Sequence, residues 1–199
     1  LNRADTIERA LDSVINQHYS NVELIILDGG STDGTVEVIK KYAAYIHYWH
    51  SALDGGAVKA INQGIKLATG DLVAQLMADD FYAPDTFIKV AEAFNKHPGV
   101  EMITCGGKII SFQKDLDHFK VLRAFTKPSD LELNFKNICF AASAICCRFI
   151  SRSVYQTVGL FKETAQDGKN LFCSDKLFLL TAVINNVSNI FIHHTGYYY

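Results

Sequence analysis

The chain is 199 residues long, 49% hydrophobic, and carries 19 Lys and Arg against 21 Asp and Glu for a formal net charge of −2. That is enough apolar material for one soluble α/β domain with a sizeable core, and so even a charge balance excludes a global field that would recruit nucleic acid. Five cysteines, Cys105, Cys139, Cys146, Cys147 and Cys173, an odd count without any C-x-x-C spacing, indicate neither a complete disulfide framework nor a zinc site and point to a reducing cytoplasm.

The longest apolar stretch, Ile138 to Cys147, is about half of what spans a bilayer, and no signal peptide opens the chain, which leaves peripheral association with the inner face of a membrane open. Leu1 rather than Met stands first and Tyr197-Tyr198-Tyr199 stands last, so the sequence reads as an excerpt truncated at both ends.

In chain order, residues 5–17 place Ile7, Leu11, Val14 and Ile15 at helical spacing, with Asp5 positioned to cap. Val22 to Leu27 is a β-prone run that ends in the polar loop Asp28 to Gly34, and a helical pattern resumes from Val36 to Tyr45. Tyr45 to Trp49 reads as a second strand leading into Asp54-Gly55-Gly56. A helix over Val58 to Leu67 is expected to end at Thr69-Gly70, as glycine often ends helices. The apolar run 71–77 then reads as a buried central strand that delivers Asp79 and Asp80 to its carboxyl end. Residues 85–96 form another amphipathic helix, stopped by His97-Pro98-Gly99, and Val100 to Cys105 is a strand.

Alternation of strands and helices through residue 105 predicts an α/β fold with a mostly parallel sheet flanked by helices. The second half is less regular: Ile109 to Phe119 and Ile138 to Arg148 look strand-rich or irregular, Ser151 to Val158 and Cys173 to Val183 helical, and Ser188 to His193 a last strand. With no linker and no repeat, residues 1–199 are expected to form a single domain.

Three acidic or glycine-rich loops follow apolar strands: Asp28 to Asp33, Asp54 to Gly56, and Asp79-Asp80. In a parallel sheet such ends converge on one edge, so residues distant in sequence line one cleft. Adjacent carboxylates repel and resist desolvation, and a cation or a hydrogen-bonded hydroxyl relieves both costs, a divalent metal carrying a diphosphate being one such partner. The competing reading is turn and cap chemistry, because Asp, Gly, Ser and Thr are what turns use and Asp79-Asp80 precede a helix near Pro84. Dinucleotide and P-loop motifs are absent: Gly29 to Gly34 lacks G-x-G-x-x-G, and no G-x-x-x-x-G-K-[ST] occurs.

The stretches Leu24 to Thr35, Ala60 to Ile65 with Ala68-Thr69-Gly70-Asp71, and Ala78-Asp79-Asp80 together resemble the family-two glycosyltransferases of the GT-A fold. The similarity is specific up to residue 105 and looser beyond, where Gly159 to Glu163 and Cys173 to Lys176 look like the acceptor-side segment. It implies a nucleotide-sugar-binding half over 1–105, an acceptor-side half over 106–199, and a first strand lying before Leu1. Carried over residue by residue, it makes Asp28 and Gly29 contacts for the base and ribose, and Asp79 and Asp80 the D-x-D-type position, with Asp80 the metal ligand and Asp79 nearer the ribose. Mn²⁺ or Mg²⁺ is the implied cofactor, with His193 as a further candidate ligand. Asp175 aligns with the general base, its alternative reading being a helix N-cap. The implied reaction moves a sugar with inversion from a nucleoside-diphosphate sugar, uridine diphosphate being the default carrier, to a glycan or lipid-linked acceptor in bacterial polysaccharide biosynthesis.

Departures from the family pattern are specific. Many relatives carry an acid where this chain has Gly29, and the acid before Ala60 has become Lys59, for which three readings stand open: pairing with the diphosphate, pairing with Asp54, or simple solvation, the default for a lone Lys. Phe140-Ala141 replaces a frequent His-Gln pair. These changes keep two alternatives in view: a non-catalytic sugar-nucleotide-binding module and a metal-dependent phosphoesterase.

Overall fold

A computed structural model describes residues 1–112, 119–140, 144–164, 171 and 173–199. Helix α1 (Ile7–Ile15) buries Ile7, Ala10, Leu11 and Val14, the i, i+3, i+4, i+7 set of one helical face. Asp5 does not cap it: Thr6 is the N-cap, without a side-chain bond, and the Arg3 carbonyl accepts from the amides of Thr6 and Ile7. Strand β1 (Ile25–Asp28), helix α2 (Thr35–Lys41) and strand β2 (Tyr48–Ser51) make a parallel β-α-β unit in which Asp28 lies opposite Ser51. Helix α3 (Ala57–Leu67) ends at Ala68 in extended conformation rather than at Gly70. There Glu23 takes the Thr69 amide at 2.7 Å, so a carboxylate ends the helix where glycine was expected.

The chain continues through β3 (Leu72–Ala74), β4 (Phe81–Tyr82), α4 (Thr86–Lys96), β5 (Met102–Phe112) and β6 (Phe119–Phe125). Short helices α5 (Pro128–Leu131) and α6 (Phe135–Phe140) lead to β7 (Arg148–Ser151), α7 (Val154–Thr157), α8 (Ser174–Ile184) and β8 (Asn189–Tyr198). Residues 138–140 are thus helical, strand structure begins only at Arg148, and Ala141 lies outside the described residues.

The larger sheet runs β3-β7-β5-β8-β4, with β6 also on β5. Its α/β character is as expected, but the pairing is mixed: β5–β8 and β1–β2 are parallel, whereas β3–β7, β5–β7, β5–β6 and β4–β8 are antiparallel. Two of these reversals come from β7, which returns between β3 and β5 instead of leaving them adjacent; the others come from β6 turning back on β5 and from β4 running against β8. Accordingly the apolar run 71–77 is not central. Only Leu72–Ala74 pair, and β3 stands at the end of the sheet.

One core forms around Ile103, Cys105, Cys147, Phe149 and Tyr197, and another where Phe178, Leu179 and Ala182 of α8 meet Ile138, Ile150 and Phe161. Backbones cross closely beside the first: a Cβ on Gly106 would lie 2.9 Å from the Phe125 carbonyl oxygen and 3.2 Å from that of His194, so glycine is required there. Arg148, buried at 2% exposure, donates to Thr104 Oγ1 at 2.8 Å and to the Leu131 carbonyl at 2.9 Å, tying α5 to the sheet.

Asn62 ties α3 to the segment that follows α7. Its amide donates to the Phe161 carbonyl at 2.8 Å and its oxygen accepts the Phe161 amide at 3.0 Å, a two-way backbone clamp in a buried setting. Asn62→Ala leaves both backbone groups unpaired and is expected to cost ~2–4 kcal/mol in urea unfolding. Asn62→Asp, which cannot donate to Phe161, should be nearly as damaging, and a loss below ~0.5 kcal/mol for either would contradict the clamp.

Candidate active site

Residues 2–4 stitch the carboxylate loops together. The Asn2 amide donates to Ser31 Oγ at 2.7 Å and the Ala4 amide to Asp33 at 3.1 Å, while Arg3 Nε meets Asp79 at 3.2 Å. The Asp54 turn joins from the other side: a Cβ on Gly29 would sit 3.3 Å from both Asp54 carboxylate oxygens. The loops after β1 and β2 and the turn at Asp79 therefore share one edge, as expected from the sequence.

Asp28 closes β1 and is 6% exposed. Its carboxylate accepts the amides of Gly30 and Ser31 at 3.2 and 2.8 Å, the Ser31 hydroxyl, and the Ser51 hydroxyl at 2.6 Å. Burial pushes its pKa up, but the hydroxyls of Ser31 and Ser51 and the Ser31 amide outweigh that and hold it below the usual carboxylate range. Most of the acceptor capacity of Asp28 is therefore spent shaping its own loop, and what the loop offers a ligand is chiefly its backbone. An acid at position 29 would bring a second negative charge against Asp54, which gives Gly29 a physical rationale.

Asp54 accepts the Gly56 amide at 2.8 Å, and Lys59, on the first turn of α3, lies over Gly55, where an added Cβ would be 2.9 Å from Nζ. A cation thus stands beside the Asp54 turn.

The Asp79-Asp80 pair is split. Asp79 is exposed and paired with Arg3, and its carbonyl accepts from Arg9 at 3.1 Å. Asp80 turns inward, 8% exposed, and accepts the Tyr197 hydroxyl at 2.7 Å. Burial raises its pKa to about 6, with Asp79 adding to the rise while Tyr197 and Arg9 oppose it. Neither acid caps α4, whose N-cap is Asp85 at φ 60°.

Asp175 is half-buried in the first turn of α8, whose N-cap is Cys173, so the cap reading does not hold. The Cys146 thiol, pushed up to about 12 mainly by burial, also feels the charges of Asp80 and Asp175.

His193 is not brought to Asp80. It is exposed beside Phe191 in a depression lined also by Lys89, Glu92, Lys96 and His97, about 13 Å of strand before Tyr197. His194 meets Thr86 Oγ1 at 3.0 Å and Lys89 Nζ at 3.2 Å instead. Among the described residues no group of three or more His, Cys, Asp or Glu side chains is gathered as a metal-holding cluster. The carboxylates of Asp80 and Asp79 fit a hard divalent cation only if phosphate oxygens and water complete its shell, as is common for Mg²⁺.

Tyr197, Arg3 and Arg9 are the site residues that sequence reasoning missed. Nothing local marks Tyr197, whose partner lies 117 residues away. The arginines carry a weak signal, as cations on and just before an amphipathic helix, and Arg9 lies half-buried over the Phe81 ring.

A family model described as glycosyl transferase family 2 matches residues 1–159. A PGL/p-HBAD biosynthesis glycosyltransferase of Mycobacterium tuberculosis is 33% identical over 165 residues, covering 80% of this chain and 59% of that protein. A glycosyltransferase of Rickettsia typhi is 28% identical over 165 residues, covering 82% and 51% respectively. Among solved structures, Staphylococcus aureus TarS in complex with UDP-GlcNAc superimposes with a TM-score of 0.73 at 21% identity, covering 100% of this chain and 55% of that one. The Pyrobaculum calidifontis mannosyltransferase PcManGT, in complex with GDP-Man and Mn²⁺, gives 0.65 at 18% identity, covering 96% and 52%. The chain thus spans about half the length of the curated relatives it matches.

Proposed function

The chain belongs to glycosyl transferase family 2, and from that premise we propose that the protein transfers a sugar from a nucleoside-diphosphate sugar to a hydroxyl of a glycan or lipid-linked acceptor, with inversion at the anomeric carbon. The observation that carries this is the split carboxylate pair, with Asp80 buried against Tyr197 and Asp79 open to water beside Arg3, on the edge it shares with the Asp28 and Asp54 loops.

Each group has a task in this reaction. The backbone of the Asp28 loop and Asp79 hold the nucleoside, and Lys59 and Arg3 supply positive charge near the diphosphate. Asp80, with Asp79, would hold Mn²⁺ or Mg²⁺, which when bound offsets the charge that grows on the departing diphosphate. Asp175 accepts the acceptor hydroxyl's proton as that oxygen bonds to the anomeric carbon and the bond to the phosphate oxygen opposite it breaks. Uridine diphosphate is the proposed carrier, supported by the complex of TarS with UDP-GlcNAc; the GDP-Man complex of PcManGT keeps guanosine diphosphate in the test.

A lipid-linked acceptor and a place at a membrane face are supported by exposed Phe135, Phe140 and Ile184 on the packed helices α6 and α8, at 57%, 89% and 68% exposure. No helix among the described residues is long and apolar enough to cross a membrane. The five cysteines are all free, which suits a reducing compartment.

The test is donor hydrolysis by the full-length protein, screened across UDP- and GDP-sugars with and without Mn²⁺. Release of nucleoside diphosphate from one donor, dependent on Mn²⁺, is expected. Binding without turnover of any donor would favour a non-catalytic module, and release of inorganic phosphate alone a phosphoesterase; either overturns the proposal.

A further inference from the structure

Strand β5 outruns the sheet that it anchors. Its first residues, Met102–Thr104, pair with β7, and from Gly107 onward the same edge is taken over by β6. On its other edge Gly107 lies opposite Tyr197, whose hydroxyl holds Asp80, and Lys108 lies opposite Tyr198. β3 runs the same way as β5, since both are antiparallel to β7, so the hairpin of β5 and β6 stands at the end of the sheet that β3 points to. The Phe119 ring of β6 comes within 5.4 Å of Tyr198 and 6.5 Å of Phe81, the residue after Asp80.

β6 is open to water along its length. Every residue from Phe119 to Ala124 is exposed, and alternation sends these side chains to both faces, so neither face of the strand is covered. Phe119, Val121 and Leu122 are the large apolar groups in it. Leu122, at 60% exposure, is the extra residue of a bulge, unmatched between the partners of Ile109 and Ile110. Lys120 and Arg123 flank the Val121-Leu122 pair. Over 108–123 the sequence carries Lys108, Lys114, Lys120 and Arg123 against Asp115 and Asp117, a local excess of positive charge in a chain of net charge −2.

Exposed apolar side chains interleaved with cations select among partners. A second copy paired along β6, with its two-fold axis between Val121 and Leu122, would set Lys120 of each strand against Arg123 of the other, and like charges across a ladder repel. An anionic bilayer suits both residue types at once. Apolar side chains enter the boundary of the acyl region, while Lys and Arg lay their stems along it and keep their charges on lipid phosphates.

We infer that the hairpin of β5 and β6 docks on an anionic lipid surface, with Phe119, Val121 and Leu122 in the headgroup boundary and Lys120 and Arg123 on phosphates. This surface is formed by different elements from the apolar surface of α6 and α8. Its purpose rests on the lipid-linked acceptor proposed above: docking by this hairpin holds the end of the sheet that carries Asp80 at the membrane, where such an acceptor presents its polar head.

The test is co-sedimentation of the full-length protein with phosphatidylcholine vesicles containing about one-third phosphatidylglycerol, and with phosphatidylcholine alone. Binding to the anionic vesicles is expected to be at least about tenfold tighter, and to weaken at least about tenfold in the double variant Lys120→Glu, Arg123→Glu. Val121→Ser with Leu122→Ser should weaken it about fivefold or more. All four side chains are exposed, so both variants should fold and release nucleoside diphosphate from donor at the wild-type rate when no vesicles are present. A wild type inert towards every donor, yet held on anionic vesicles through these four residues, would sink the transfer reading and leave the docking surface standing. Equal binding to both kinds of vesicle overturns the inference, as does undiminished binding by the hairpin variants. Loss only in Phe135→Ser, Phe140→Ser would give the membrane contact to α6 and α8 instead. Tighter capture of soluble polygalacturonate than of vesicles would give the hairpin to an acidic glycan, and also overturns it.

Discussion

Asp80→Asn is expected to abolish sugar transfer and at the same time to stabilise the fold above pH 6. Buried against Tyr197 with Asp79 beside it, Asp80 has its pKa raised from 3.8 to about 6. A carboxylate raised in this way binds its proton more tightly folded than unfolded, so ionising it costs stability as pH rises through 6, and that cost is absent below about 4. Asn keeps an acceptor for the Tyr197 hydroxyl and never ionises. The full shift corresponds to ~3 kcal/mol, and screening by water at the neighbouring Asp79 reduces this to ~1–2 kcal/mol, a rise in Tm of roughly 2–8 °C at pH 8 that vanishes near pH 4.

Transfer should fall on the order of 10²- to 10³-fold or more, because a pre-set negative group at the centre of the site has gone. In the wild type, apparent Mn²⁺ affinity should weaken about tenfold per pH unit below 6, as the proton and the cation compete for the same oxygens. A stability difference that is flat from pH 4 to pH 8 would show that Asp80 is not the strained group described here.

What was legible in the sequence were features set by short-range pattern. Ile7, Leu11 and Val14 announce α1 because one helical face must be apolar, and the loops at Asp28 and Asp54 are visible as turn chemistry after β-prone runs. What the sequence hid depends on partners far along the chain. Leu72 to Met77 is apolar enough for a central strand, yet apolarity does not reveal that β7 returns antiparallel beside it. The family resemblance makes Asp28 a ligand contact, whereas Ser51, opposite it on a separate strand, draws it inward. His193 and His194 look like a pair, but strand alternation sends one to Thr86 and Lys89 and the other outward. The Asp79-Asp80 motif was found by its residue types, while the different fates of its two members depend on Tyr197 and Arg3.

Asp175→Asn is expected to lower kcat for transfer on the order of 10²- to 10⁴-fold while leaving donor affinity unchanged, the span over which positioned general bases contribute. Asp175 occupies the first turn of α8, where the helix's unpaired amides favour a negative charge. That same position allows a purely structural role, and the two roles differ in magnitude. Losing a charge at a helix N-terminus costs ~0.3–1 kcal/mol of stability, too little to unfold a domain and without a route to a large change in turnover. A general base shows the opposite split: little change in unfolding, large loss in kcat, and nucleotide-sugar binding intact because the base touches only the acceptor's proton. Slow donor hydrolysis should survive in the variant, since water is abundant and the leaving-group side of the site is untouched. Measured on the full-length protein with acceptor present, a kcat within about threefold of wild type would remove Asp175 from the reaction.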